Sequence, residues 1–91
     1  MGIRWSPSAE KHGVERRDVL HALEYYVYRI PAFDEPRVPG GARPDLFIGP
    51  ARDRRQLLEV MVEVQPPTDL FIFHAMPARQ KIIDIAERNA K

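Results

Sequence analysis

The stretch LLEVMVEVQPPTDLFIFHAMPARQK, residues 57–81, decides the fold. Its opening residues alternate. Leu58, Val60, Val62 and Val64 fall on one side of an extended chain and Leu57, Glu59, Met61 and Glu63 on the other, which is the period of a β-strand. Pro66, Pro67 and Thr68 make a tight connection. Asp69 to Ala75 is almost wholly apolar, as in a central strand covered on both faces. Pro77 sits where the first residue of a helix belongs, because its missing N–H would have no intrahelical partner there. Ile82, Ile83, Ile85, Ala86 and Asn89 carry that helix toward the C-terminus. The C-terminal half therefore reads as a β-hairpin running directly into a helix.

Upstream of the hairpin, Asp45 to Gly49 reads as a short strand and Pro50 to Gln56 as a polar turn holding Arg52, Arg54 and Arg55. Phe33 to Pro44 contains Pro36, Pro39, Gly40, Gly41 and Pro44, so it continues neither a ladder nor a helix and is a loop. Tyr25 to Ile30 is rich in aromatic and β-branched residues and predicts a strand stopped by Pro31. Glu15 to Tyr25 predicts a helix. Val19, Leu20, Leu23 and Val27 recur on one face, and Glu15, Arg16, Arg17, Asp18 and Glu24 supply the wet side. Ile3 to Trp5 is a short strand, followed by a helical turn capped by Ser6 or Ser8 and ended by Gly13. The order β–α–β–β–β–β–α predicts an α+β domain: a small antiparallel sheet of three to four strands with helices packed on one face.

Size and composition bound what such a domain does. The chain has 91 residues, enough for a single domain over residues 1–91 and one modest core. So small a core leaves room for a stabilising partner, in a homo- or hetero-oligomer. Cysteine is absent, which excludes disulfides, thiolate catalysis and cysteine–zinc sites. His12, His21 and His74 have no metal-motif spacing, so neither a metal nor another cofactor is expected. The net charge is +1, so an anionic ligand would have to be held by a local cluster. No segment approaches the ~20 apolar residues of a membrane span, and no signal-peptide pattern opens the chain, so a cytoplasmic protein is expected.

The junction between the last strand and the last helix is the strongest local cluster. Alternation groups Leu70, Ile72, His74 and Met76 on one face. Arg79 and Lys81 stand in the first turn of the following helix, where the macrodipole favours acids. Helix N-termini also hold anions. Free amides, Arg79, Lys81 and His74 together would bind a phosphate and move a proton. The chemistry that fits is RNA cleavage by 2′-hydroxyl attack, with a base, an acid and fixed donors for the developing charge. Glu59 or Glu63 is a second acid–base candidate if strand register brings one to His74. Arg52, Arg54 and Arg55 would hold the flanking backbone.

Plainer readings stand beside each of these. A lone histidine at a strand end is most often a hydrogen-bonded structural residue. Arg79 and Lys81 would equally pair with Asp84 or the Glu59/Glu63 face, and the three arginines would form a solvated turn. His21, Trp5, Tyr25, Tyr26 and Tyr28 read as packing residues.

Several motifs occur in an order that resembles one family. Trp5-Ser6-Pro7 and Lys11-His12-Gly13-Val14 precede a helix from Glu15. Leu46 to Gly49, the basic turn Arg52 to Arg55, the strand Leu58 to Val64, and Phe71 to Arg79 follow. This order resembles the BrnT family of bacterial type II toxins, within the RelE-like ribonuclease toxins. The resemblance implies a RelE/BrnT-like fold and a ribonuclease toxin neutralised by a cognate antitoxin protein. It adds Lys11 and His12 to the RNA-binding set; the catalytic candidates remain those read from the junction itself, His74, Arg79, Lys81 and Glu59. The chain departs from the family in four ways. The spacing from Trp5 to Lys11 is shorter, which cuts the first helix to about a turn; Met76 and Pro77 stand in place of an arginine pair; His74 replaces a small polar residue; and the loop from Phe33 to Pro44 is longer. A non-catalytic interaction module of the same fold is the alternative expectation. A metal-free hydrolase of a small phosphorylated substrate is a weaker one, since a deep pocket is hard to build at this size.

Overall fold

The computed structural model describes residues 2–36, 39–65 and 69–89. The elements are β1 (Ile3–Trp5), α1 (Pro7–Glu10), α2 (Arg16–Glu24), β2 (Tyr28–Ile30), β3 (Asp45–Pro50), β4 (Leu57–Gln65), β5 (Asp69–Pro77) and α3 (Gln80–Asn89). The fold is α+β, as expected, but the sheet is larger than the sequence suggested. Five strands lie in the order β1-β5-β4-β3-β2. All neighbours are antiparallel except β1 and β5, which run parallel, so the sheet is mixed. The three-residue β1 and β2, both read as strands in the sequence, join the sheet as its two edges. The connection at Pro66, Pro67 and Thr68 lies outside the described residues.

The helices do not share one face. Alternation along β4 sends Leu58, Val60 and Val62 into a cluster with Ala9 of α1 and Val19 and Ala22 of α2. On the other face, Leu46 and Ile48 of β3 pack with Ile82 and Ala86 of α3, and Leu57 and Met61 of β4 flank them. A sheet with apolar residues on both faces needs a cover on each, and two thin cores replace the expected single one. Helix α2 lies close to the sheet at Gly49, where a Cβ would fall 2.1 Å from the Ala22 carbonyl oxygen.

Other expectations shift in register. The buried stripe of α2 runs through Val19 and Ala22, while Leu20 and Val27 are exposed. Tyr25 ends α2, its N–H donating to the His21 carbonyl, so the strand begins only at Tyr28. Tyr25 and Tyr26 are exposed and lie outside the core. Val64 is exposed as well, near the far end of β4. Gly13 has φ +74°, the left-handed conformation expected of a residue ending a helical turn.

Pro77 ends β5 instead of opening α3. It pairs with Leu58, and the next donor, Ala78 N–H, reaches the Leu57 carbonyl. The first helical bonds run from Ile82 and Ile83 to the Arg79 carbonyl, so the helix starts at Gln80, three residues later than Pro77 suggested.

A bulge in β5 changes the face on which His74 stands. Val62 pairs with Ile72 and Met61 with His74, leaving Phe73 as the extra residue. Ile72 and Ala75 therefore both enter the α2-covered cluster. His74, opposite Met61, turns to the α3 side with Glu59. The expected grouping of Leu70, Ile72, His74 and Met76 on one face is broken at this point.

Candidate functional site

Glu59 lies in the middle of the sheet and is fully buried. Its carboxylate accepts four hydrogen bonds. Oε2 receives the Arg79 backbone N–H at 2.9 Å and Arg79 Nε at 3.3 Å. Oε1 receives Arg79 Nη2 at 2.7 Å and His74 Nε2 at 2.9 Å. Burial alone would push this carboxyl up. The Arg79 side-chain and backbone bonds and the His74 bond outweigh it and hold the group below its ordinary value.

This cluster explains the unusual cation at the start of α3. The anion that the helix terminus and Arg79 call for is supplied from within the chain, by Glu59 of β4. Of the residues expected to form a phosphate site, Glu59, His74 and Arg79 are brought together, but around a carboxylate that fills the place the phosphate would take. Glu59 is ionised and saturated with donors, so it orients its neighbours and is not built to exchange protons itself. Register decided between Glu59 and Glu63: Glu63 pairs with Phe71, farther along the strand. Lys81 is exposed and forms no ion pair among the described residues.

An ionised carboxylate only accepts, so His74 Nε2 carries the proton in this contact. For a neutral imidazole, Nδ1 then keeps its lone pair. The ring is about one-fifth exposed. His12, in the segment after α1, brings its own ring edge-on to His74, with centroids 6.2 Å apart and planes at 73°. Two imidazoles, one fixed by a buried carboxylate, thus stand edge to face beside the β5 bulge. The sequence marked both residues but gave no sign that they meet. Lys11, next to His12, is exposed.

The basic turn between β3 and β4 is elsewhere and is largely committed. Arg52 donates its backbone N–H (3.0 Å) and Nε (2.8 Å) to Asp18 Oδ1 and lies 3.5 Å from Glu15. The Arg52 bonds hold the Asp18 carboxyl below its ordinary value. Arg54, at φ +59°, places its guanidinium 5.4 Å from the centre of the Tyr25 ring. His21, read as structural, donates from Nδ1 to the Pro50 carbonyl at 2.8 Å. Asp18, His21 and Tyr25 form one stripe of α2 that grips the turn. Of the three arginines, Arg55 alone is used only through its backbone, which donates to Asp53.

No metal-binding group of three or more suitable side chains occurs among the described residues. No helix there is long and apolar enough to cross a membrane. No protein-family model, curated protein or solved structure matches the chain.

Proposed function

We propose that this chain is a ribonuclease toxin of a bacterial type II toxin–antitoxin system, cleaving RNA by 2′-hydroxyl attack at the His74–His12 surface. The observation that carries the reading is the Glu59-oriented His74 imidazole beside a second imidazole. His74 Nδ1 takes the 2′-hydroxyl proton as the 2′-oxygen bonds to phosphorus. The bond from phosphorus to the 5′-oxygen breaks, and His12, protonated, gives its proton to that leaving oxygen. The products are a 2′,3′-cyclic phosphate and a 5′-hydroxyl. Exposed Lys11 and Lys81 are available to the phosphate backbone. The partner is a cognate antitoxin protein covering this surface.

Incubation of the purified chain with RNA tests the reading. Wild type is expected to cleave, and His74→Ala and His12→Ala each to lose about 10²-fold or more, the usual worth of a general acid or base. Absence of cleavage by wild type, or equal cleavage by all three, overturns it. The engagement of Arg79 by Glu59 favours a second reading, a non-catalytic interaction module of the same fold. That reading expects tight partner binding unchanged by His74→Ala and no cleavage.

A further inference from the structure

The sequence offered Ser6 or Ser8 as the cap of α1. Ser6 holds the N-cap position, but its hydroxyl makes no cap hydrogen bond. The Ser6 and Ser8 hydroxyls contact each other at 2.6 Å, and Ser8 Oγ donates to the Phe73 carbonyl at 2.6 Å. Phe73 is the bulge residue of β5, immediately before His74.

The geometry of that carbonyl is unusual. In a regular strand, successive carbonyls point to opposite edges. Here two successive ones, of Ile72 and Phe73, both accept from the N-terminal segment: Ile72 from Ser6 N–H at 3.0 Å, and Phe73 from Ser8. β1 pairs with β5 only as far as Ile72, so no ladder partner from β1 reaches Phe73. The Ser8 hydroxyl donates to this carbonyl from α1. The same bulge lets Ala75 enter the apolar cluster while His74 faces Glu59. A regular strand continuing the alternation of Leu70 and Ile72 would instead put His74 under α2.

We infer that Ser8 is a positioning residue for His74: its hydroxyl holds the β5 bulge that turns the imidazole onto Glu59. The catalytic consequence rests on the function proposed above, whereas the structural consequence does not. Ser8 acts through the backbone of Phe73, to whose carbonyl its hydroxyl donates.

The experiment uses the full chain with Ser8→Ala, Ser8→Val and Ser8→Thr. Valine and threonine have nearly the same shape and differ by the hydroxyl. Two readouts are taken, the solvent-exchange rate of the His74 Nε2 proton by NMR and the rate of RNA cleavage, with the thermal midpoint as a control. Ser8→Ala and Ser8→Val are expected to speed exchange by about fivefold to tenfold, the worth of one hydrogen bond, and to slow cleavage by a similar factor. Ser8→Thr is expected to match wild type on both. Unchanged exchange in Ser8→Val, or exchange as fast in Ser8→Thr as in Ser8→Val, overturns the inference even if the thermal midpoint falls. A wild type that does not cleave RNA overturns the proposed function instead, and the exchange readout still decides the role of Ser8.

Discussion

Two arginine–carboxylate clamps in this molecule share their wiring and differ in burial. In each, one arginine gives both its backbone N–H and its guanidinium to a carboxylate distant in sequence: Arg52 to Asp18, and Arg79 to Glu59. The first ties the β3–β4 turn to α2, and the second ties the start of α3 to the sheet. The Asp18 side chain keeps 22% of its exposure and the Glu59 side chain none. Water substitutes for a lost partner at Asp18. At Glu59 every acceptor site must be met by protein, and the last donor recruited is His74. The buried clamp therefore fixes an imidazole as well as a helix end, which the exposed clamp has no means to do.

The largest break in this comparison is expected from Arg79→Ala, which leaves a buried carboxylate without its cation. Urea unfolding should show a loss of about 3 kcal/mol, the low end for a broken buried pair, because the arginine side of the pair is open to water. Glu59→Gln keeps the shape and removes the charge, and should cost about 1–2 kcal/mol by the same measurement.

Acid sharpens the contrast. The Glu59 carboxyl is held below its ordinary value of 4.5, so its contribution to stability is complete above that pH and is lost as pH falls through the lower folded value. Stability of wild type measured against pH should therefore fall in that window, and the fall should be smaller in Glu59→Gln. Asp18 has the same sign: its contribution is complete above its ordinary value of 3.8 and is lost as pH falls through its lowered folded value. The smallest effect is expected from Asp18→Asn. Its thermal midpoint should lie close to wild type, and the remaining difference should shrink in high salt, as for an exposed ion pair. An Asp18→Asn loss as large as that of Arg79→Ala would break the comparison.

Much of this was legible in the sequence. The alternation of Leu57 to Val64 gave β4, the spacing of Ile82, Ile85 and Ala86 gave α3, and the cations after Pro77 marked the junction. Three things were hidden. The period of β5 is uniform in sequence, so nothing announced an extra residue at Phe73, and the face of His74 was misassigned. Strand register is a long-range property, so the approach of Glu59 to His74 was only conditional. The parallel edge β1 and the contact of His12 with His74 depend on where the N-terminal segment lands, which no local pattern encodes. The misfit of Arg79 with the helix dipole was a true signal, but its explanation is an internal anion from β4.

The most direct test of the account is the tautomer of His74, read from long-range proton–nitrogen correlations in wild type and Glu59→Gln at neutral pH. The buried clamp predicts a protonated, slowly exchanging Nε2 and a bare Nδ1 in wild type, with the preference weakened in Glu59→Gln. A wild-type His74 protonated at Nδ1 alone, or one whose signals are unchanged in Glu59→Gln, would contradict it.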